Sequence, residues 1–262
     1  MCLMANEITI LGVNGTKGLE GGTSAFMIDV HNVIDAGNLL RPMGKAVAEI
    51  ETIWLTHSHL DHILDIAYIL DSYFTERKKP LRLRGLPETL EAVQKHFLND
   101  IIWPDFSKIA LAHSEVMAVV YEPITLEKCY TLDEESSIEG FATDHTVESC
   151  GYKISRGERS LVITADTYDL SSMIALVQKS KDVSALVIEC SFPSNMEKLA
   201  KESKHLTPKL LFEALKPLEK RGIMLYINHI KPLHQEIISS EIALLKGDWK
   251  VKILKDGEKI TF

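Results

Sequence analysis

Only four cysteines occur in the 262 residues, at Cys2, Cys129, Cys150 and Cys190, and no Cys-x-x-Cys pair is among them. That pattern excludes a disulfide framework, which belongs to short secreted chains. The expectation is free, buried thiols in a reducing compartment. No apolar run is long enough to span a bilayer, and the start Met-Cys-Leu-Met-Ala-Asn lacks a basic head leading into a sustained apolar stretch. Neither a membrane segment nor a secretory leader is expected, and the cytoplasm is the expected compartment. Low-complexity segments, linkers and short repeats are also missing, so residues 1–262 read as one domain. Basic charge is in deficit: 29 Lys and Arg stand against 37 Asp and Glu, a net charge of -8. Long nucleic acids need a basic footprint and are therefore poor partners. A small anion remains accessible to a local metal centre, whose ions would dominate the nearby charge.

Hydrophobic residues make up 45% and charged residues 25%, as in ordinary globular enzymes. Short strands are predicted at Glu7–Val13, Ser24–Val30, Asn32–Asp35 and Thr52–Leu55, followed by helices from Ile63 to about Arg77 and over Pro87–Phe97. Strands resume at Val116–Tyr121, Ser137–Thr143, Gly151–Ser155 and Ser160–Thr164. A helix over Leu170–Lys179, a strand at Ala185–Glu189 and a Thr-Pro-initiated helix over Thr207–Arg221 come next. A strand at Ile223–Ile227, a helix from about Leu233 to Leu245 and a strand at Val251–Leu254 close the chain. Ten or more strands with interspersed helices imply two sheets packed face to face with helices outside.

One stretch concentrates chemistry. His57-Ser58-His59-Leu60-Asp61-His62 places three imidazoles and a carboxylate within six residues, directly after the apolar Ile53-Trp54-Leu55. These are ligand types for zinc-like metals, and no packing motive explains so many on one loop. His145, Asp166 and His229 each follow an apolar strand, so all three can converge with that loop on one rim of a sheet. His31, His96 and His113 carry no such context and read as ordinary surface or core histidines.

The order His-x-His-x-Asp-His, then His, Asp and His, resembles the metallo-β-lactamase superfamily, which implies an α/β fold, a four-layer αββα sandwich. The resemblance implies one metal on His57, His59 and His145, a second on Asp61, His62 and His229, and Asp166 shared by both. Asp35 would orient a ligand imidazole. Two divalent ions are implied, zinc foremost, with manganese and iron as alternatives. Finer features resemble class II 3′,5′-cyclic nucleotide phosphodiesterases: the run from His57 through Leu60 and Ile63 to Ser72, Ile101–Phe106, His145-Thr146-Val147, Ile188–Pro193, Ser203–Pro208 and Ile227–Pro232. Asp65 departs from that pattern, which has a small residue there.

That likeness implies hydrolysis of cyclic AMP or cyclic GMP to the 5′-nucleotide by in-line attack of a metal-bridging hydroxide. Catalysis falls to Asp61, His205 and Glu189. His205 would protonate the leaving oxygen, with Glu189 holding it charged. Trp103 and Phe106 read either as a base-stacking pair or as core aromatics. Thr23 and Ser24 read either as active-site rim or as a tight turn, and Lys204 as solvated. Competing readings are a tRNase Z-like nuclease, a lactone or thioester hydrolase, and a non-catalytic nucleotide sensor. The choice of base, the metal and the oligomeric state, homodimer included, stay open.

Overall fold

A computed structural model describes residues 6–218 and 222–262. Cys2 and the last residues of the Thr207–Arg221 expectation lie outside them. The first half comprises β1 (Glu7–Gly12), β2 (Ala25–Met27), β3 (Asn32–Ile34), α1 (Leu40–Met43), β4 (Thr52–Trp54), α2 (Leu60–Ser72), β5 (Leu81–Gly85), α3 (Pro87–His96) and β6 (Val119–Pro123). The second half comprises β7 (Cys129–Thr131), β8 (Ser136–Ala142), β9 (Cys150–Arg156), β10 (Arg159–Ile163), α4 (Ser171–Lys179), β11 (Val183–Glu189), α5 (Glu197–Glu202), α6 (Pro208–Ala214), β12 (Met224–Asn228), α7 (Gln235–Leu245), β13 (Lys250–Ile253) and β14 (Lys259–Thr261).

The strands form two seven-stranded sheets, ordered β14-β1-β2-β3-β4-β5-β6 and β13-β12-β11-β10-β9-β8-β7. Strand alternation builds the layers. Leu161 and Ile163 on β10, with Ala185 and Val187 on β11, point between the sheets and meet Ile8, Phe26, Ile34 and Trp54. Their neighbours Val162, Leu186 and Ile188 point outward under α4, α6 and α7. On the first sheet Val33, Ile53 and Leu83 point outward under α2 and α3. The result is the expected αββα sandwich. Arg156 crosses between the sheets, buried, and donates to the carbonyls of Glu7 and Ile28, both at 2.7 Å.

Several boundaries differ from expectation for identifiable reasons. Helix α2 starts at Leu60 rather than Ile63, because polar ligand side chains mask the apolar period in its first turn. Helix α6 keeps its Thr207 cap on the Leu210 amide at 3.3 Å but ends at Ala214, shortly before Pro217. Strand β6 begins at Val119, because Val116 is spent in a turn that bonds Leu111. Strands β5, β7 and β14 and the short helices α1 and α5 were not expected. Of these, β5 alternates Leu with Arg, and the other two strands are three-residue edges. Cys150 and Cys190 are free and buried as expected, but Cys129 lies exposed on the edge strand β7.

Asp65 acquires a structural role. Its Oδ2 accepts the amides of Leu39 and Leu40 at 2.6 and 2.9 Å, so it caps α1 from across the fold.

Candidate metal centre and active site

The loops after β3, β4, β8, β10 and β12 deliver Asp35, His57, His145, Asp166 and His229 to one rim of the sandwich, and Glu189 reaches it as the last residue of β11. Asp61 and His62 reach it from the first turn of α2. Four rim residues adopt positive φ without being glycine: Asp35 (57°), Ala165 (54°), Lys204 (52°) and His229 (58°). Each such conformation costs about 1–3 kcal/mol, and such strain collects where a site is built. His229 is held there by its own amide, 2.6 Å from the Val13 carbonyl. Gly15 packs on the same residue, where a Cβ would come within 2.4 Å of the His229 carbonyl.

The candidate ligands fall into two groups that share Asp166. In the first, His59 Nδ1 lies 3.1 Å from both His57 Nε2 and His145 Nε2. Asp166 Oδ2 stands 3.7 and 3.8 Å from those two Nε2 atoms. In the second, His229 Nε2 lies 3.4 Å from Asp61 Oδ2 and 3.2 Å from Asp166 Oδ1. His62 Nε2 lies 3.8 Å from Asp61 Oδ2 and 3.5 Å from Asp166 Oδ2. A tetrahedral zinc bound at about 2.0–2.1 Å separates its ligand atoms by about 3.4 Å, so these spacings suit such an ion.

Hydrogen bonding supports the same fit. His62 Nε2, His229 Nε2 and Asp166 Oδ1 are buried without a hydrogen-bond partner. Unpaired buried polar atoms are costly, and three of them meeting in one place match what a cation would satisfy. The opposite ring nitrogens are engaged. His62 Nδ1 lies 2.7 Å from Asp35 Oδ2, and His145 Nδ1 donates to the Lys204 carbonyl at 3.1 Å. Asp35 therefore stands where an orienting partner is needed.

Electrostatics keep most of the cluster ready to ligate. Burial lowers the pKa of His57 well below 6.5, with neighbouring His62 adding to the effect. Burial likewise lowers His59, and it lowers His145 to about 4. Burial opposes the charge of Asp166, yet His229, His62 and His57 hold its pKa well below 3.8. Asp61 is held at about 2 against its own burial, chiefly by His229 and His62. His62 moves the other way: Asp166 and Asp35 outweigh burial and raise it well above 6.5.

Beside this cluster, His205 Nδ1 lies 2.8 Å from Glu189 Oε1. Its ring stacks on His229 at 5.3 Å and lies 5.0 Å from His145. Glu189 is fully buried and also accepts the amides of Thr167 at 3.1 Å and Leu206 at 3.3 Å. A cavity of about 420 Å³ opens over the cluster, and its lining includes Leu60, Leu64, Thr16, Lys17 and Lys231. Thr23 lines it as well and donates to the Gly37 carbonyl at 3.0 Å.

Other sequence readings resolve differently. Phe106 packs on Phe74 in the core, and Trp103 meets Tyr68 edge-on at 5.6 Å; neither lines the cavity. Lys204 is solvated as expected, its side chain 40% exposed, and it pairs there with Asp144 at 2.5 Å. Sequence reasoning assigned no role to Leu64, Thr56, Ser191, Lys231 or the Gly15–Lys17 turn. Of these, Thr56 and Ser191 are each adjacent to a singled-out residue or one position removed from it, and Lys231 follows His229 by two, which is the available signal.

This sheet pair with a His/Asp rim defines a metallo-β-lactamase-fold protein, and solved structures agree. Unliganded yeast PDE1 matches with a TM-score of 0.81 at 20% identity, covering 99% of this chain and 100% of that one. The metallo-β-lactamase-fold protein YhfI from Bacillus subtilis matches with a TM-score of 0.76 at 18% identity, covering 98% of each chain. A sequence model of the class-II cAMP phosphodiesterases matches residues 23–158, and the chain belongs to that family.

Among curated relatives, 3′,5′-cyclic-nucleotide phosphodiesterase 1 of Saccharomyces cerevisiae is 31% identical over 118 residues, 45% of this chain and 31% of that protein. Ribonuclease Z of Borrelia hermsii is 28% identical over 164 residues, 56% of this chain and 47% of that protein. The chain thus matches about a third to a half of the length of these two relatives.

Proposed function

We propose that the protein is a metal-dependent hydrolase that opens 3′,5′-cyclic nucleotides, cyclic AMP or cyclic GMP, to 5′-nucleotides. The carrying observation is one cavity lined by His59, Asp61, Asp166, His205 and His229, with the other candidate ligands clustered against these residues and Glu189 bonded to His205. His57, His59 and His145 would hold one divalent ion, and Asp61, His62 and His229 the other, with Asp166 common to both. When bound, such ions supply Lewis acidity toward phosphoryl oxygens and lower the pKa of water. Zinc suits this set of imidazoles and carboxylates, as do manganese and iron.

The chain's own groups supply the rest. Glu189 fixes the Nδ1 proton of His205 and leaves Nε2 as the free ring nitrogen. As the water oxygen bonds to phosphorus, losing one proton to solvent, and the P–O3′ bond breaks, His205 Nε2 gives its proton to the 3′ oxygen and is reprotonated from solvent. An alkoxide is a poor leaving group, so this proton matters most for unactivated substrates. Lys231 and Lys17 line the cavity and bring positive charge suited to an anionic phosphodiester. The free thiols of Cys129, Cys150 and Cys190 support residence in a reducing compartment.

The test is a phosphodiester panel with product analysis, using protein loaded with zinc or manganese and Asp61→Ala as the control. Conversion of cyclic AMP or cyclic GMP to the 5′-monophosphate is the expected result. Metal-loaded protein that leaves both intact while trimming RNA 3′ ends would replace this reading with that of a ribonuclease Z-like nuclease.

A further inference from the structure

Two buried hydroxyls occupy matching positions on either side of the cluster. Thr56 Oγ1 lies 2.9 Å from Asp35 Oδ2 and 3.0 Å from His57 Nδ1. Ser191 Oγ lies 2.9 Å from Glu189 Oε2 and 2.9 Å from His229 Nδ1. Thr56 and Ser191 are both fully buried. Each carboxylate also holds a second imidazole directly: Asp35 holds His62 at 2.7 Å, and Glu189 holds His205 at 2.8 Å.

Proton counting gives each arrangement a direction. A hydroxyl has one proton to give and lone pairs to accept. A carboxylate is the stronger acceptor, so each hydroxyl donates to it. For Ser191 the alternative acceptor is the neutral His229 carbonyl at 3.1 Å, which competes less well. The hydroxyl oxygen is then free to accept, and the imidazole beside it must present Nδ1–H. That fixes the ring with Nε2 as a bare lone pair. His57 Nε2 and His229 Nε2 are the atoms that meet the other candidate ligands. The nearby contacts from Thr56 Oγ1 to His62 Nδ1 (3.4 Å) and from Ser191 Oγ to His205 Nδ1 (3.2 Å) are longer than the bonds those rings make to the carboxylates.

We infer that Thr56 and Ser191 are paired positioning residues, each relaying a carboxylate's hold to one metal-ligating imidazole in its own half of the site. This rests on the proposed two-ion site. Asp35 thereby orients one imidazole of each ligand group, His62 directly and His57 through Thr56. Glu189 couples the leaving-group acid His205 to the ligand His229 through Ser191. A buried polar side chain that merely satisfied itself in a turn would show no preference for one ion over the other.

The experiment compares Thr56→Val and Ser191→Ala with the hydroxyl-retaining Thr56→Ser and Ser191→Thr in the full-length protein. Zinc affinity at each step is measured by chelator competition. The zinc-loaded wild type is also examined by imidazole ¹⁵N NMR, which needs no variant to fold. Outer partners of ligand histidines are worth about 10–100-fold in metal affinity. Ser191→Ala is expected to weaken one zinc step by about that factor and Thr56→Val the other, with the hydroxyl variants restoring each. The NMR should show Nδ1–H on His57 and His229. Unchanged affinities in both alanine- and valine-type variants, equal weakening of both steps by each, or a proton on Nε2 would overturn the inference. None of these readouts requires turnover. A wild type that leaves cyclic nucleotides intact, while the variants still show the site-selective losses, would sink the proposed reaction and leave the relays standing.

Discussion

Glu189 Oε1 and His205 Nδ1 are 2.8 Å apart, with the carboxylate fully buried and the imidazole nearly so. Burial disfavours a charged His205, but the adjacent Glu189 outweighs it and raises the pKa above 6.5. A raised pKa keeps the proton on His205 at neutral pH, and the proton is lost as pH rises through the folded-state value. Loss of that proton sets an alkaline limb of kcat. Glu189→Gln removes the charge and leaves the burial, so that limb should move to lower pH. An unmoved limb in a pH–rate profile would deny Glu189 this role.

Replacing the acid itself separates substrates. His205→Ala should slow cyclic AMP opening by about 10²–10⁴-fold, the usual worth of a positioned acid. An aryl phosphodiester with a stable leaving group should lose far less. Metal content measured in parallel should stay at the wild-type value, and equal losses on both substrates would argue against proton donation.

The Asp35–His62 contact bears on metal affinity. His62 has a pKa raised well above 6.5 in the metal-free protein because Asp166 and Asp35 outweigh its burial. An ion binding at Nε2 must displace that proton, so metal affinity should fall as pH falls and binding should release about one proton per chain from this ring. Calorimetry in two buffers of different ionisation enthalpy measures the release. Asp35→Asn should weaken the ion on His62 by about 10–100-fold and, through Thr56, the ion on His57 as well.

Leu60 and Leu64, one helical turn apart on α2, form the apolar wall of the cavity. An apolar wall of this kind suits the flat face of a nucleobase. Leu64→Asp should raise KM for cyclic AMP about ten-fold or more by placing charge against that face. A small baseless phosphodiester should keep its KM, and a matching rise for both would assign Leu64 to general packing.

Arg156 tests the scaffold apart from the chemistry. Its guanidinium makes two short bonds that tie β9 to the Glu7 and Ile28 carbonyls of the opposite sheet. Arg156→Met leaves both carbonyls buried and unpaired, which should cost about 3 kcal/mol. Urea denaturation of the metal-free protein should show the loss as a lower midpoint with an unchanged slope.

The legible part of the site was the part with local density or strand-end placement. His57 to His62 stood out because polar ligands there have no packing motive. His145, Asp166 and His229 stood out because each follows an apolar strand. The cavity walls did not, because Leu60, Leu64 and Thr23 are residues that any fold uses, and only their position around the rim gives them a task. The aromatics Trp103 and Phe106 looked more suited to a base than these leucines, yet they are spent on Tyr68 and Phe74. Asp65 read as a departure from the family pattern, and its partners, the Leu39 and Leu40 amides, lie 25 and 26 residues away in sequence.

By itself the sequence determined the ligand inventory, the alternation that makes two sheets and the net charge of -8. These follow from residue type and local period, which need no knowledge of distant contacts. The tertiary structure alone decided which ring nitrogen of each histidine is engaged, that Asp35 and Glu189 each hold one imidazole directly and reach another through a hydroxyl, and which apolar residues face the cavity. Those outcomes depend on angles and separations of a few tenths of an ångström between strands far apart in the chain, and hydrogen bonds are made or lost on that scale.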